Sequence, residues 1–195
     1  VASEKLGQVM DLEFEGHNDA EKDITTQSSA IKLAMENVTF HPRDVSTPIL
    51  KGISLTIEAG SKVVITGKSG SGKSATLALL AGLYETYQGK VKVNDLSMEM
   101  INLGKYRAVV GDCLELQQIF HGTITENILV GRALDADQMK FVTELVGLNE
   151  FIYQLPDDME TMLLPEGRGL SRKLAQAIII ARALIGNPQA MIFEN

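Results

Sequence analysis

One eight-residue stretch, Gly67–Ser74, constrains the fold of this chain more than any other feature. It reads Gly-Lys-Ser-Gly-Ser-Gly-Lys-Ser, which is the spacing of a phosphate-binding loop. A β-branched run at Lys62–Thr66 precedes the loop, and a helix-favouring run at Ala75–Leu83 follows it. This order of strand, loop and helix suits anion binding, because the N-terminus of the helix then points at the anion. The pattern predicts an α/β fold organised around this unit.

The loop supplies the candidate nucleotide-binding residues. They are Gly67, Ser69, Gly70, Gly72, Lys73, Ser74 and Ala75. The glycines let the backbone turn tightly and bring its N–H groups to a phosphate with no Cβ in the way. Lys73 offers a positive charge to the β- and γ-phosphates, and Ser74 offers a hydroxyl oxygen to Mg²⁺. Chance produces this spacing on the order of once in a hundred chains of this length, so we interpret the loop as an anion cradle.

Phosphate binding alone does not identify the base. The guanine-selecting pattern Asn-Lys-x-Asp is absent from the sequence, which favours ATP over GTP. A nucleotide kinase normally places several arginines in one lid, whereas the six arginines here are mostly scattered along the chain. A soluble phosphotransferase needs an acceptor site, and no pattern in the sequence indicates one. The predicted ligands are therefore ATP and Mg²⁺.

Composition excludes several other classes of protein. With 195 residues, 45% hydrophobic and 22% charged, the chain suits a globular fold with one sizeable core. The net charge is −7 and no lysine- or arginine-rich block is present, so we expect no nucleic acid partner. The single cysteine, Cys113, cannot form an internal disulfide, and we interpret it as a small buried apolar residue. No apolar run approaches the length of a membrane helix, so we expect the chain itself to be soluble.

The pattern of apolar and charged residues changes near residue 31. Residues 1–10 have apolar side chains three to four positions apart, which is typical of an amphipathic helix. Residues 1–30 together carry seven acidic side chains against two lysines, and we interpret 11–30 as an acidic linker. Further strands are predicted at 31–40, 48–57, 90–93, 107–111 and 190–193, and further helices at 135–147 and 170–185.

Several segments away from the loop resemble the nucleotide-binding domain of an ABC transporter of the exporter type. Glu36–Phe40 is similar to the family's first strand, and Gly122–Ile128 is similar to the start of its helical subdomain. Gly169–Ser171 and Ile180–Leu184 match the two ends of its signature helix. The resemblance implies an α/β P-loop NTPase fold, with an ABC ATPase-like core sheet, an antiparallel β subdomain and a helical subdomain at about residues 115–168.

The resemblance also implies a domain division and a set of partners. Residues 31–195 correspond to an ATP-binding domain whose C-terminal part is missing, and residues 1–30 to the exit and linker from a membrane domain. In this family two such domains sandwich two ATP molecules, each loop facing the partner's Leu-Ser-Gly-Gly-Gln signature. The implied partners are a membrane-spanning domain and a second nucleotide-binding domain, identical or different. The implied location is the cytoplasmic face of a membrane.

Further site residues follow from the resemblance. Ser171 matches the serine of the signature, and His41 lies near the place where family members carry an aromatic residue that stacks on adenine. Mg²⁺ is expected to be held by Ser74, Glu115 and Glu194. Glu115 stands where the family has a glutamine that links Mg²⁺ to the membrane interface.

The positions that the resemblance assigns to turnover depart from the family's pattern. The catalytic positions are Glu115, Glu194 and Asn195, where Glu194-Asn195 replaces the expected Asp-Glu. The amide of Asn195 cannot accept a proton from the attacking water, as a carboxylate can. The signature glycines are replaced by Arg172 and Lys173, whose long side chains would obstruct a partner's phosphate. We expect weak or absent hydrolysis; the alternative is an inactive regulatory or structural partner of an active ABC subunit.

Overall fold

The computed structural model describes residues 30–42, 47–114 and 118–194. The strands are β1 Leu33–Phe40, β2 Leu50–Ile57, β3 Gln88–Val93, β4 Leu96–Ser97, β5 Val110–Cys113, β6 Gly122–Thr123, β7 Met162–Leu163 and β8 Ala190–Phe193. The helices are α1 Lys73–Leu80, α2 Leu103–Ala108, α3 Ile124–Leu129, α4 Ala136–Leu145, α5 Asn149–Ile152 and α6 Arg172–Leu184. Three single-turn 3₁₀ helices lie at Met98–Met100, Asp158–Glu160 and Pro165–Gly167. The helix and linker predicted for residues 1–30 lie outside the described residues, apart from residue 30.

An antiparallel sheet with the strand order β2-β1-β3-β4 forms one side of the molecule. Its second strand, β1, places these apolar side chains in the core: Leu33, Met35, Val38 and Phe40. Successive side chains of this set are two positions apart up to Met35 and three apart from Met35 to Val38. The register of β1 against β2 shifts at that point, where Asn37 has a φ of 48°. Gly89 of β3 lies so close that a Cβ would sit 2.4 Å from the Asn37 carbonyl oxygen, so only glycine fits.

Two short strands, β5 and β8, form a parallel sheet whose carboxyl ends line the main cleft of the described structure. Cys113 pairs with Phe193, so the carboxyl ends of the two strands meet at one edge. The prediction of a parallel strand at 190–193 is confirmed, but its predicted burial holds only for Ile192, since Ala190 and Met191 are half-buried and Phe193 is 53% exposed. The prediction of a strand at 107–111 is partly wrong, because α2 continues to Ala108. The side chain of Asn102 caps that helix by accepting from the Lys105 N–H at 2.9 Å.

The other helices gather around a second apolar cluster, formed by side chains of α3, α4, α5 and α6. The helix predicted at 135–147 is confirmed as α4, and the Asp135 side chain caps it by accepting from the Gln138 N–H at 3.0 Å. Gly147 follows the end of α4 at φ 70°, the left-handed conformation in which helices commonly end. A full capping box, with both reciprocal hydrogen bonds, lies at Thr123 and Glu126 at the start of α3.

The strand predicted at Lys62–Thr66 is wrong for the described structure. These residues pair with none of the described strands, and the side chains of Val63 and Val64 are 54% and 84% exposed. A β-branched run becomes a strand only when a neighbouring strand takes up its N–H and C=O groups. The loop and helix α1 that follow nevertheless form as predicted. Among the helices in the described ranges, none combines the length and hydropathy needed to cross a bilayer.

Candidate functional site

The loop Gly67–Ser74 turns directly into α1. Gly70 and Gly72 have φ values of 76° and 90°, which side chains with a Cβ rarely adopt. A Cβ on Gly72 would also lie 2.5 Å from the buried side chain of Leu50. The Gly72 carbonyl accepts hydrogen bonds from both the N–H and the hydroxyl of Thr76, which fixes the first turn of α1. The glycine spacing thus forms the predicted tight turn at a helix N-terminus.

Lys73 lies over the loop that precedes it. Its ammonium donates to the carbonyl oxygens of Gly67 at 3.0 Å and Lys68 at 2.9 Å. An ammonium has three N–H donors, so two hold it in place and one remains for an anion. The charge is therefore already positioned for a phosphate at the N-terminus of α1, where the helix dipole adds to it.

The loop opens into a cleft of about 980 Å³, within the range of small-molecule sites. Six of the predicted binding residues line it, together with a predicted catalytic residue: Ser69, Gly70, Gly72, Lys73, Ser74, Ala75 and Glu194. Gly67 contributes through its carbonyl on Lys73. The opposite walls are formed by Thr47–Ile49, by the end of β5 and by one face of α6. The cleft is large enough for a nucleotide with its phosphates on the loop.

Ser74 and Glu194 are the two predicted Mg²⁺ ligands that line this cleft. Glu194 is fixed by its backbone, whose N–H donates to the Cys113 carbonyl at 3.1 Å. No cluster of three His, Cys, Asp or Glu side chains able to hold a metal occurs among the described residues. This donor set suits Mg²⁺, which typically takes one or two protein oxygens and completes its shell with substrate phosphates and water.

Two described site residues predicted from the sequence, His41 and Ser171, lie away from the residues that line the cleft. His41 is exposed, and among the described residues between β1 and β2 it is Thr47–Ile49 that line the cleft. Ser171 caps α6, where its hydroxyl oxygen accepts from the Leu174 N–H at 3.2 Å. Two further predicted site residues, Glu115 and Asn195, lie outside the described residues.

Cys113 forms part of the apolar wall of the cleft. Its side chain is buried, as predicted, and the sulfur lies 4.0 Å from the Ile179 carbonyl oxygen. Burial raises the pKa of the thiol to about 11; the negative charge of Asp112 raises it further and Arg182 opposes the shift. The thiol is therefore neutral near pH 7 and is a poor nucleophile there.

Arg182 and Asn127 form a polar network that was not predicted from the sequence and that binds the backbone of residues 118–123. The guanidinium of Arg182 donates to the Asn127 carbonyl at 2.7 Å, the Asn127 Oδ1 at 3.2 Å and the Gln118 carbonyl at 3.0 Å. The Asn127 amide donates to the carbonyls of Phe120 and Thr123, both at 3.0 Å, and accepts from the Phe120 N–H at 3.0 Å. Burial lowers the pKa of the Arg182 guanidinium. The network ties residues 118–123 to α6, the helix that walls the cleft.

Comparison with known proteins places these features in a family. A sequence model described as "ABC transporter" matches residues 50–195. The chain is 34% identical over 182 residues to the "ABC-type transmembrane transporter verA" of Clonostachys rogersoniana, covering 90% of this chain and 14% of that protein. It is 33% identical over 165 residues to the "Multidrug resistance protein pgp-1" of Caenorhabditis elegans, covering 84% of this chain and 12% of that protein.

A solved structure shows the same similarity in three dimensions. It is described as "Structure of a bacterial Atm1-family ABC exporter with ATP bound" and superposes with a TM-score of 0.86 at 27% sequence identity. The match covers 98% of this chain and 33% of the solved chain. The chain therefore spans about a third of that exporter and about an eighth of the two curated relatives.

Proposed function

The chain belongs to the ABC transporter family, as a nucleotide-binding domain of the exporter type with the ABC ATPase fold, and on this premise we propose that its cleft binds Mg-ATP. The observation that carries the proposal is the position of Lys73, tethered over the loop at one wall of a cleft that Ser74 and Glu194 also line. The ammonium of Lys73, the hydroxyl of Ser74 and the carboxylate of Glu194 would then share the part of the cleft that takes a terminal phosphate and its metal ion.

Each group has a defined task in binding. Lys73 pairs with the terminal phosphates, and the backbone N–H groups of the loop and of the first turn of α1 bind their oxygens. Ser74 and Glu194 would hold Mg²⁺, with Glu115 as a further ligand by resemblance. The metal ion supplies neutralisation of phosphate charge when it is bound.

We further propose that nucleotide binding is coupled to transport. One relative is named a transmembrane transporter and the other a multidrug resistance protein, and this chain matches only about an eighth of the length of each. We therefore propose that the domain acts together with a membrane-spanning domain. The second proposed partner is another nucleotide-binding domain, identical or different, that closes over the ATP. The domain would then act at the cytoplasmic face of a membrane.

We propose that the domain's own hydrolysis is weak. Asn195 follows Glu194 at the position that a water-polarising glutamate occupies in the family, and an amide has neither the charge nor the proton affinity for that task. Binding of Mg-ATP does not need a carboxylate at position 195, because the loop, Lys73 and the proposed Mg²⁺ ligands are other residues. The domain would therefore bind nucleotide better than it turns nucleotide over.

A second candidate function is favoured by the N-terminus of α6. There, Arg172 and Lys173 occupy the positions of two signature glycines. A domain that fails to complete its partner's site, and hydrolyses nothing itself, would serve as a regulatory or structural partner of an active ABC subunit. The two functions share the nucleotide site and differ in whether phosphate is released.

Thermal unfolding tests nucleotide binding by this site. At a hundredfold excess over its dissociation constant, Mg-ATP is expected to raise the free energy of unfolding by about 2.7 kcal/mol, since only the folded chain binds it. AMP at the same concentration is expected to give a much smaller effect, because it lacks the β- and γ-phosphates that the loop would hold. An unfolding temperature unchanged by Mg-ATP would contradict both candidate functions.

A further inference from the structure

Two neighbouring side chains of α2, Tyr106 and Arg107, hold the C-terminal end of α1. We infer that Arg107 is a positioning residue of the nucleotide site, which sets where α1 presents the phosphate loop. The inference rests on the proposed function and deepens it at the same site. Arg107 would influence the terminal phosphates of a nucleoside triphosphate through α1, without touching them.

Arg107 binds the end of α1 through one backbone carbonyl. Its Nε, at 3.1 Å, and its Nη2, at 2.6 Å, both donate to the carbonyl oxygen of Gly82. Gly82 lies two residues beyond the last residue of α1, in the left-handed conformation at φ 72°. This position is also near the negative end of the helix dipole, which favours a cation. The guanidinium therefore fixes the end of α1 that lies opposite Lys73.

Tyr106 holds the same end of α1 from the core. Its side chain is completely buried, and its hydroxyl donates to the carbonyl of Leu80, the last residue of α1. Burial raises the pKa of the phenol, so the hydroxyl keeps its proton and remains a donor. A Cβ on Gly82 would lie 3.2 Å from the Tyr106 ring, which shows how closely the ring packs on that backbone.

Helix α1 carries this placement to the phosphate loop. It has eight residues, so its two ends lie about 12 Å apart, and Lys73 is its first residue. At that distance the charge of Arg107 is largely screened from a bound phosphate, because the Debye length is about 8 Å at physiological salt. Arg107 would therefore act by placing α1 and not by its own electric field.

Helix α2 also leads to the other half of the proposed site. A single residue separates it from β5, whose last residue, Cys113, pairs with Phe193 of β8. Glu194 comes next, and its N–H donates to the Cys113 carbonyl at 3.1 Å. The contacts between α1 and α2 thus join the helix that begins at Lys73 to the strand pair that leads to Glu194. A triphosphate with Mg²⁺ would span both halves, whereas AMP would not.

The experiment is a calorimetric titration of the 195-residue chain and its variants with Mg-ATP and with AMP. Arg107→Ala is expected to weaken Mg-ATP binding about tenfold, the lower end of the loss typical when a group that orients binding residues is removed. AMP binding is expected to change by about twofold or less, because AMP lacks the β- and γ-phosphates that Lys73 would hold. Arg107→Lys is expected to recover part of the loss, since lysine still offers the Gly82 carbonyl a charged donor.

Arg132→Ala is the matched control. Arg132 donates to the carbonyl of Leu129, the last residue of α3, at 3.3 Å. It makes the same kind of contact as Arg107, but on a helix that does not carry the loop. Urea unfolding of each variant is measured alongside. Arg132→Ala is expected to lower the unfolding midpoint without weakening Mg-ATP binding, which separates placement of the site from loss of stability.

Several results would overturn the inference. If Arg107→Ala keeps the Mg-ATP affinity of the unmodified chain, the inference fails; the proposed function survives if Lys73→Ala weakens binding and fails with it otherwise. Equal losses for AMP and Mg-ATP, or equal losses of Mg-ATP affinity in Arg107→Ala and Arg132→Ala, would show a general structural effect. Should Arg107→Ala not fold, Tyr106→Phe keeps the ring and removes only the donor to Leu80, and the same expectations apply to it.

Discussion

At saturating Mg-ATP, the chain is expected to release phosphate about 10²- to 10⁴-fold more slowly than a variant in which the turnover positions are restored. The restored variant carries Glu194→Asp, Asn195→Glu and Glu115→Gln, with glycines in place of Arg172 and Lys173 and glutamine in place of Leu174. A carboxylate at position 195 can accept the proton of the attacking water, which an amide cannot. The loss of a general base typically costs this factor in rate.

The single substitution separates the two causes of weak turnover. Asn195→Glu alone is expected to recover only part of the rate, because Arg172 and Lys173 still occupy the positions that face a partner's phosphate in the family. The matched control replaces Asn195 by glutamine in the otherwise restored variant, and its rate should stay low because glutamine lacks the carboxylate charge. Phosphate release by the unmodified chain at the rate of the fully restored variant would contradict the proposal of weak hydrolysis.

Asn127→Ala is expected to lower the free energy of unfolding by about 3 to 5 kcal/mol. The Asn127 side chain is completely buried and binds the N–H and the carbonyl of Phe120, the carbonyl of Thr123 and the guanidinium of Arg182. Alanine removes the side-chain partner of the Phe120 N–H and carbonyl and takes one hydrogen bond each from the Thr123 carbonyl and the Arg182 guanidinium, and each part-buried group left without a partner costs about 1 to 3 kcal/mol. The measurement is the midpoint of urea unfolding, with the slope checked for two-state behaviour.

Asn149→Ala is the matched control for that substitution. Asn149 is the half-buried first residue of α5, and its side chain takes part in none of the hydrogen bonds found among the described residues. Removing it is expected to change the free energy of unfolding by about 0.5 kcal/mol or less, as for most surface positions. Equal midpoints for Asn127→Ala and Asn149→Ala would show that the network around Arg182 contributes little to stability.

The sequence predicts those features of the site that depend only on residues close together along the chain. The turn at Gly70 and Gly72 and the placement of Lys73 depend on residues within one loop, so their spacing alone determines them. The position and parallel pairing of strand β8 were also predictable, because a short apolar run after a helix is typical of a parallel strand, although only Ile192 of that run is buried.

The parts that were missed depend on contacts between distant residues. The run Lys62–Thr66 has the composition of a strand, but a strand also needs a hydrogen-bonded partner, and this run pairs with none of the described strands. The network of Asn127 and Arg182 joins residues 55 positions apart, and a lone asparagine in a sequence carries no signal of that kind. The irregularity in β1 likewise follows from the close approach of Gly89 on another strand.

The central claim is that the loop holds a triphosphate and that Lys73 provides its charge. Calorimetric titration of Mg-ATP into the unmodified chain, Lys73→Ala and Lys62→Ala tests it most directly, since Lys62 is an exposed lysine that does not line the cleft. Lys73→Ala is expected to weaken binding about ten- to hundredfold, while Lys62→Ala stays within twofold of the unmodified chain. Equal affinities for the unmodified chain and Lys73→Ala, or no binding by either, would contradict the claim.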